Sequence, residues 1–283
     1  MLGHKLCQVL SPNMATFATF RGAAPDRVPF YGKIEPIAGV DALETDSVSG
    51  AIARARPDVV VNAIGIVKQR STATDPVLSI SINSLFPHRL AELCDAAGAR
   101  LLHFSTDCVF SGRRGAYVED DVPDPVDLYG RSKLLGEVDA PRALTIRTSI
   151  IGRELENMTG LLEWFLGEAG GRVKGFSRVR WSGVTTNFLA RTVARLIREA
   201  PDLSGVFHLS GPAISKYQLL VWLNDAFGTR TTIEPDDAVA SDRTLVSDRF
   251  WSKTGFARPD WPQMVSELAL EARMYEGMAN ARR

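Results

Sequence analysis

The sequence predicts an α/β protein with a doubly wound parallel sheet and a smaller C-terminal lobe. Residues 58–65, 100–105 and 143–148 are short, nearly continuous apolar stretches, which is typical of strands buried on both faces of a parallel sheet. Between the first two, apolar side chains recur at helical spacing over residues 85–97, and Gly98 is a natural helix end. Strand, helix and strand at this spacing form βαβ units with right-handed crossovers, hence a doubly wound sheet.

The other elements follow from the same patterns. The stretch 15–20 is short and β-prone, and residues 128–138 are predicted to be helical. Beyond about residue 150 the alternation loosens, so we expect two units, residues 1–150 and residues 151–283, the second interleaved with the sheet. In that second unit the pattern first predicts a helix over 160–166, broken by Gly170 and Gly171, and a strand-or-loop region over 173–186. An amphipathic helix over 188–197, a strand over 205–210 and a helix capped by Ser215 follow. The stretch from Trp251 is expected to be irregular, and the last helix is expected over about 262–275.

Charge and composition exclude several classes of protein. The chain carries 33 Lys and Arg residues against 33 Asp and Glu, so its formal net charge is zero. Nucleic-acid binders normally carry a basic surplus, so we expect no nucleic-acid partner. No apolar stretch approaches the roughly 20 residues of a membrane-spanning helix, and the first residues lack the apolar core of a signal peptide. With 45% apolar and 23% charged residues, the chain is predicted to be a cytoplasmic globular protein with no membrane span.

Metal and hydrolase chemistry find little support in the sequence. Cys7, Cys94 and Cys108 are far apart and odd in number, which argues against a disulfide or zinc framework and suits a reducing compartment. The four histidines are scattered, and there is no HExxH motif, G-x-S-x-G elbow or Walker A loop. We therefore predict no metal site, and either an enzyme or a binding protein for small molecules.

The densest group of reactive side chains lies between residues 104 and 137. Ser105 and Thr106 end a predicted strand, the place where parallel α/β sheets bind their ligands. Tyr129 and Lys133 are four residues apart on a predicted helix and so project from one face. Such a pair alone is more often a surface or packing feature. Here, however, the pair stands near strand-end hydroxyls. The Lys133 ammonium would favour the phenolate of Tyr129, and the group together could transfer the proton when an alcohol and a ketone are interconverted.

Four segments carry a resemblance to a known family: residues 104–112, 117–120, 129–137 and 144–149. They resemble the extended short-chain dehydrogenase/reductase superfamily and, within it, the dTDP-4-dehydrorhamnose reductase family. The resemblance implies a Rossmann-type fold and NAD(P)H-dependent reduction of the C4 ketone of a nucleotide-activated 4-keto-6-deoxy sugar, in polysaccharide or deoxysugar synthesis. It also implies that residues 1–150 bind NAD(P), that residues 151–283 bind the nucleotide-sugar substrate, and that the enzyme could be a homodimer.

The resemblance assigns catalytic roles to four residues. Tyr129 is expected to be the general acid, donating its proton to the developing alkoxide at sugar C4. Lys133 is expected to lower the pKa of Tyr129 and to bind the nicotinamide ribose. Thr106 and Ser105 are the two strand-end hydroxyls, of which Thr106 aligns with the active-site hydroxyl of the family.

A second set of residues is expected to contact the substrate. Asp107 orients the loop or the substrate, and Cys108 stands where the family usually has tyrosine, a change that alters the pocket; a reactive Cys108 is the alternative. Trp181 begins a segment in which Val184 replaces the family's proline, and its ring either stacks on a base or belongs to the core. Arg243 resembles the family's arginine near the sugar nucleotide, where it could pair with a diphosphate; an exposed, unpaired arginine is the alternative.

A third set is expected to contact the cofactor. Arg21 follows a predicted strand where an arginine would accommodate the 2′-phosphate of NADP, so NADPH is the preferred cofactor and NADH remains possible. Asn83 matches a recurrent asparagine of the superfamily, with a helix cap as the alternative. Together with Tyr129 and Lys133, the cofactor set comprises Gly3, Arg21, Asp41, Ala63, Ile64, Gly65, Asn83 and Thr148.

The start of the sequence departs from the family pattern. A dinucleotide fold begins with a strand and a G-x-x-G-x-x-G turn, whereas residues 1–6 match only the last glycine, Gly3, and the start of its helix. We expect a misassigned start, and we expect the chain as printed to bind cofactor weakly or not at all.

Two other functions remain open at this point. One is a sugar-nucleotide epimerase or dehydratase of the same superfamily, which would use tightly held NAD without consuming it. The other is a non-catalytic, dinucleotide-binding regulatory subunit, which the incomplete glycine turn would suit. The presence of Ser105, Thr106, Tyr129 and Lys133 counts against the second.

Overall fold

The computed structural model describes residues 1–24, 31–67, 74–156, 158–272 and 274–275. The helices are α1 (Leu2–Leu10), α2 (Thr45–Ala55), α3 (Pro76–Ser79), α4 (Phe86–Ala96), α5 (Leu128–Leu135), α6 (Leu161–Gly167), α7 (Thr186–Glu199), α8 (Lys216–Phe227), α9 (Asp248–Thr254) and α10 (Trp261–Leu270). The strands are β1 (Thr16–Thr19), β2 (Ile34–Ile37), β3 (Val59–Asn62), β4 (Arg100–Thr106), β5 (Ala143–Thr148), β6 (Ile150–Ile151), β7 (Arg172–Phe176), β8 (Val179–Trp181), β9 (Val184–Thr185), β10 (Gly205–His208), β11 (Ile214–Ser215), β12 (Thr232–Asp236) and β13 (Ser241–Asp242).

The main sheet has four parallel strands in the order β10-β5-β4-β3. Every residue of β5 is buried, as expected for an inner strand covered on both faces. The sheet confirms the predicted α/β fold class and the predicted strands at 100–105, 143–148 and 205–210. Because β10 comes from the second half of the chain and pairs with β5, the second half contributes directly to the sheet.

A second parallel pair, β1 and β2, lies apart from the main sheet. Among the described residues, no strand joins this pair to β3. The first described element is α1, whose Gly3 approaches Ala63 just beyond β3. At its other face α1 is tied to the end of the described chain, because His4 hydrogen-bonds to the Tyr275 hydroxyl at 2.8 Å and Lys5 pairs with Glu271 at 2.5 Å.

The second half of the chain forms smaller sheets around a shared apolar core. Strands β7 and β12 are parallel, β8 pairs with β11 and β13, and β9 pairs with β6. The buried side chains of α7 pack with those of α1 and β5 in one cluster, so the two halves share a core. Large members of this cluster are Leu144, Ile146, Phe165, Leu189, Leu196, Leu219, Phe250 and Trp261.

Local signals predicted most helices, and the tail was the exception. Ser215 caps α8 as expected, since its Oγ accepts from the backbone N–H of Gln218 at 3.0 Å. The expectation of an irregular stretch from Trp251 is wrong, because Trp251 lies inside α9, which ends at Gly255 with a positive φ of 65°. The final predicted helix corresponds to α10, and part of its expected extent, residue 273, lies outside the described residues.

The described part of the chain shows neither a membrane span nor a metal cluster. None of its helices is both long enough and apolar enough to cross a bilayer. In the same residues, no group of three or more His, Cys, Asp or Glu side chains could hold a metal ion. No disulfide joins any of the three cysteines.

Candidate active site

The two hydroxyls at the end of β4 have different surroundings. Successive strand residues face opposite sides of the sheet, and the Ser105 Oγ donates to Glu137 Oε1 at 2.6 Å. Thr106 Oγ1 instead donates to Asp107 Oδ1 at 3.1 Å and is the hydrogen-bond partner of Tyr129. The assignment of both hydroxyls to the active site is therefore corrected: Thr106 lies at the phenol, and Ser105 belongs to a buried polar network on the other side.

The start of α5 sets the position of Tyr129. Asp127 caps the helix, accepting from the backbone N–H of Gly130 at 2.8 Å. A Cβ on Gly130 would overlap the backbone carbonyl of Cys108, so glycine allows the helix to pack directly on the loop that follows β4. This close approach brings the Tyr129 side chain to Thr106.

Burial dominates the electrostatics of Tyr129. Burial raises the pKa of the Tyr129 phenol, the nearby Cys108 and Asp107 raise it further, and the hydrogen bond with Thr106 opposes the shift. Lys133 is not among the groups that shift this pKa, and its Nζ donates to the Phe104 carbonyl at 2.7 Å, so its expected effect on the Tyr129 pKa stays a prediction. Because its pKa is raised, Tyr129 is protonated at neutral pH, the state that a proton donor requires.

Lys133 lies in a buried position one helical turn from Tyr129. Burial lowers the pKa of Lys133 to about 8, and the negative charge of Glu137 works against this shift. Among the described residues, the Phe104 carbonyl is the one hydrogen-bond partner of its ammonium group. An ammonium group has three donors, so two remain for a ligand.

Asp107 lies in a group of charges that the sequence did not reveal. Its carboxylate is buried, which raises its pKa, while the cations Lys216 and Arg243 lower it. Lys216 is the first residue of α8, and its Nζ lies 3.6 Å from the centroid of the Trp181 ring. Sequence reasoning missed Lys216 because the residue is far from Asp107 along the chain and belongs to no motif.

The remaining predicted substrate residues separate into two groups. Arg243 lies near the site, since its Nε donates to the Phe110 carbonyl at 3.0 Å and its charge acts on Asp107. The Trp181 ring packs between Lys216 and Trp261, with the two tryptophan centroids 5.2 Å apart. Of the two roles expected for Trp181, stacking on a base or packing in the core, the structure shows the core position, where the ring contacts Lys216 and Trp261.

The turn after β3 is open to a ligand. Ala63, Ile64 and Gly65 are all exposed, and Asn62 fixes the turn by accepting from the Ile64 N–H at 3.0 Å. Gly3 lies on the adjacent α1, where an added Cβ would meet Ala63 at an ordinary contact distance of 3.8 Å. These four predicted cofactor residues thus share one surface.

Asn83 is buried between the chain after β3 and α5. It lies in a π-helical turn, Ile80–Leu85, a feature often found at functional sites. Its Oδ1 accepts from the Ile66 N–H at 2.9 Å, and its Nδ2 donates to the Ile66 carbonyl and the Ser132 hydroxyl. Asn83 thus bridges the chain after β3 to α5, and its contact with a cofactor stays a prediction.

The other predicted cofactor residues lie at element ends. Arg21 is exposed just beyond β1, and the Asp41 carboxylate accepts from the Leu43 N–H at 3.0 Å in the turn before α2. Thr148 is buried at the end of β5, opposite Thr106 in the strand register. Their contact with a cofactor stays a prediction.

A buried ion pair anchors the side of the site opposite Tyr129. Glu137 receives hydrogen bonds from the Nε and Nη2 of Arg147, each at 2.8 Å, in addition to the one from Ser105. Arg147 also contacts His208 Nε2 at 3.3 Å. Both charged side chains are less than a tenth exposed, so the network ties β4 and β5 to the segment that follows α5.

The whole arrangement can be compared with known proteins. The sequence matches the family model described as the RmlD substrate binding domain over residues 1–269. The chain belongs to this family. The match confirms the resemblance to dTDP-4-dehydrorhamnose reductases within the extended short-chain dehydrogenase/reductase superfamily.

One relative at 31% identity is named as an enzyme subunit and not as a reductase. Methionine adenosyltransferase 2 subunit beta of Danio rerio is 31% identical to the chain over 198 residues. The matched region covers 65% of this chain and 60% of that protein, so the chain spans about 60% of the length of the relative.

Two solved structures establish the fold. The dTDP-4-dehydrorhamnose reductase of Bacillus anthracis, in complex with NADP, has a TM-score of 0.75 at 20% identity and covers 91% of this chain and 99% of its own. The Bordetella bronchiseptica enzyme WbmG, in complex with NAD and UDP, has a TM-score of 0.78 at 19% identity and covers 97% and 93%. At identities of 20% and 19%, this similarity confirms the Rossmann-type fold and not the activity.

Proposed function

We propose that the chain is an NAD(P)H-dependent reductase that converts the C4 ketone of a nucleotide-activated 4-keto-6-deoxy sugar into an alcohol. The observation that carries this proposal is the position of Tyr129: α5 packs directly on the loop after β4, which brings the phenol to the Thr106 hydroxyl at the carboxyl end of an inner strand. A proton donor and a second hydroxyl at that edge suit a reaction that adds hydrogen to a carbonyl.

Apart from the glycine-rich turn, of which the sequence shows only Gly3, the residues present fit a nicotinamide cofactor. The exposed turn Ala63–Gly65 beside Gly3 leaves room for the dinucleotide backbone, and the two remaining donors of Lys133 suit ribose hydroxyls. The exposed cation of Arg21 beyond β1 suits a 2′-phosphate, which favours NADPH. The B. anthracis reductase binds NADP and the B. bronchiseptica enzyme binds NAD, so both cofactors occur in proteins of this fold.

The chain's own side chains would carry the proton and orient the ketone. When bound, the cofactor supplies a hydride to C4. The Thr106 hydroxyl exchanges its hydrogen bond to Asp107 for one to the carbonyl oxygen, and the Tyr129 hydroxyl gives that oxygen its proton as negative charge develops. The ammonium of Lys133 stabilises the phenolate left on Tyr129 once a ligand brings the two groups together. One hydride and one proton thus complete the alcohol.

The test is turnover by two variants. A dTDP-linked 4-keto-6-deoxyhexose is supplied with NADPH at up to about 1 mM, well within the usual KM range, and NADPH absorbance is followed. Loss of the proton donor in Tyr129→Phe and of the ammonium in Lys133→Ala should each lower kcat by about 10²- to 10⁴-fold. Wild-type turnover by both variants would remove the mechanism.

Two observations favour second candidates. The similarity to a protein named as a subunit, methionine adenosyltransferase 2 subunit beta, leaves a non-catalytic, dinucleotide-binding subunit as one candidate. The NAD and UDP bound to WbmG leave a nucleotide-sugar enzyme that retains its NAD as the other. Stoichiometric NADPH oxidation supports the reductase over both. Substrate conversion without net NADPH loss identifies the NAD-retaining enzyme, and NADPH binding without turnover across a panel of sugar nucleotides identifies the subunit.

A further inference from the structure

A segment from the second half of the chain is bonded to the loop that follows β4. Residues 241–246, which we call the strap, begin with β13 and precede α9. The Tyr117 N–H donates to the Thr244 carbonyl at 2.9 Å, and the Tyr117 carbonyl accepts from the Val246 N–H at 2.8 Å. The strap therefore holds residues 110–117, a loop of the first half, against the second half.

Arg243 lies in the middle of the strap and is bonded to the turn that follows Thr106. Its Nε donates to the Phe110 carbonyl at 3.0 Å, and the Phe110 N–H donates to the Asp107 carbonyl at 3.1 Å. One short turn of chain thus separates the guanidinium from Thr106 and Asp107. An arginine has five N–H donors, and among the described residues the four on Nη1 and Nη2 of Arg243 have no partner.

The two residues that flank Arg243 fix its backbone. The Asp242 Oδ1 accepts from the Thr244 N–H at 3.0 Å and from the Thr244 hydroxyl at 2.6 Å. The same hydroxyl oxygen accepts from the Ala116 N–H at 2.8 Å in the facing loop. An Asp side chain bonded to the backbone two residues on closes a tight turn, and Arg243 is the central residue of this one. We call Asp242 and Thr244 the clamp.

The side chain of Arg243 is also held against the loop. Gly112 has a positive φ of 82°, and an added Cβ there would lie 2.9 Å from the Arg243 Cγ. Glycine at this position therefore lets the loop backbone lie directly against the Arg243 stem. The Nε bond, the clamp and this contact together restrict the guanidinium to one place.

The charges around Arg243 leave a positive excess. The Asp242 Oδ2 lies 3.4 Å from the Arg180 Nε, so that carboxylate already has a cation. Asp107 forms no ion pair with Arg243 among the described residues, and Lys216 is a second cation whose charge acts on Asp107. Two cations against one carboxylate suit a ligand that carries negative charge.

We propose that Asp242 and Thr244 are positioning residues that hold the Arg243 guanidinium ready for the diphosphate of the nucleotide-sugar substrate. The proposal rests on the proposed function and deepens it, since it names the residues that fix where the diphosphate is held. The diphosphate is attached at C1, across the sugar ring from the C4 ketone, so a cation one short turn from Thr106 can reach it. A guanidinium pairs with two phosphate oxygens through its planar edge, and one already held in place loses less side-chain entropy on binding.

The test asks whether Thr244 acts through Arg243. Calorimetry measures the binding of dTDP to the wild type, Thr244→Val, Arg243→Met and the double variant. Loss of the clamp hydroxyl should weaken dTDP binding about 3- to 10-fold, and loss of the guanidinium about 10- to 100-fold. In the Arg243→Met background, Thr244→Val should change the affinity by less than about 2-fold, because the group that it positions is absent.

Turnover and three further variants separate positioning from folding. Thr244→Val should raise KM for the dTDP-linked ketone by the same factor as it weakens dTDP, and leave kcat and KM for NADPH unchanged. Thr244→Ser keeps the hydroxyl and should bind dTDP as the wild type does. Thr244→Ala leaves room for water at the freed Ala116 N–H and should show the same dependence on Arg243. Thr254 also donates and accepts through its hydroxyl, at the end of α9, so Thr254→Val should leave dTDP affinity unchanged.

The binding data and the turnover data report on different claims. An equal loss of dTDP affinity with and without Arg243, or no loss in Thr244→Val and Thr244→Ala, would overturn the clamp assignment. If dTDP binds with the predicted dependence but no ketone is reduced, the clamp assignment stands and the reductase assignment fails. If ketone is reduced by the wild type and Thr244→Val keeps the wild-type KM for it, the reductase assignment stands and the clamp assignment fails.

Discussion

Replacing Glu137 by Gln should destabilise the protein far more than removing an exposed carboxylate. The Glu137 carboxylate accepts one hydrogen bond from Ser105 and two from Arg147, and both charged side chains are less than a tenth exposed. Glutamine has nearly the same volume, so the change leaves the packing intact and removes the charge. Arg147 would then be a buried cation without its counter-ion.

The expected loss follows from that unpaired charge. Removing one partner of a buried ion pair destabilises proteins by about 3–5 kcal/mol. Two features of this site place the loss near the lower end: the glutamine oxygen can still accept one hydrogen bond, and Arg147 keeps its contacts with His208 and the Glu119 carbonyl. We expect the free energy of unfolding to fall by about 3 kcal/mol, measured by urea titration at neutral pH.

The chain offers a matched control. Glu267 pairs with Arg191 at 2.5 Å, but the two side chains are 25% and 46% exposed, and such surface pairs contribute about 0–1 kcal/mol. Glu267→Gln should therefore leave the urea midpoint nearly unchanged. If Glu137→Gln is destabilised no more than Glu267→Gln, the reasoning about the buried network is wrong.

Three shorter predictions concern the site and its surroundings. Thr106→Val should lower kcat about 10²- to 10³-fold in steady-state kinetics, because it removes a hydrogen bond to the developing charge. Ser105→Ala should keep kcat and lower the free energy of unfolding by about 1–3 kcal/mol in a urea titration. Burial and the nearby Arg147 lower the pKa of His208 from 6.5 to about 4. Between these values the unfolded chain binds a proton at His208 and the folded chain does not, so this histidine alone should lower the unfolding free energy by about 3 kcal/mol as the pH drops through the window. His4 and His103, whose pKa values are also lowered, add to the fall, and His208→Asn should remove only the His208 part. Arg21→Ala should raise KM for NADPH about 10-fold or more and leave KM for NADH unchanged.

The parts of the fold that local patterns specify were predictable from the sequence. The strands β4, β5 and β10 are apolar runs, and Ser215 caps α8 by a contact three residues away. Local patterns also placed Tyr129 and Lys133 on one helix. Helix α9 escaped prediction because its seven residues are too short for a periodic signal and its stability comes from burying Phe250 and Trp251 in the core.

The parts of the site that depend on tertiary contacts were not predictable. Ser105 and Thr106 are adjacent hydroxyl residues that the sequence does not distinguish. Which of them lies at the Tyr129 phenol depends on which side of the sheet each residue of β4 faces. Lys216 reaches the Trp181 ring because β11 pairs with β8, a contact between distant segments. The direction of the Tyr129 pKa shift also required the structure, since burial of the phenol is its largest cause.

The central claim is that hydrogen from NADPH reaches C4 of the sugar while Tyr129 protonates the oxygen. The most direct measurement supplies NADPH deuterated at the transferable position with a dTDP-linked 4-keto-6-deoxyhexose and locates the label in the product by mass spectrometry and NMR. The account predicts one deuterium at C4 for each NADPH consumed, and an amount of labelled product about 100-fold lower with Tyr129→Phe. Product that forms without label at C4, or label that appears equally well without the Tyr129 hydroxyl, would contradict it.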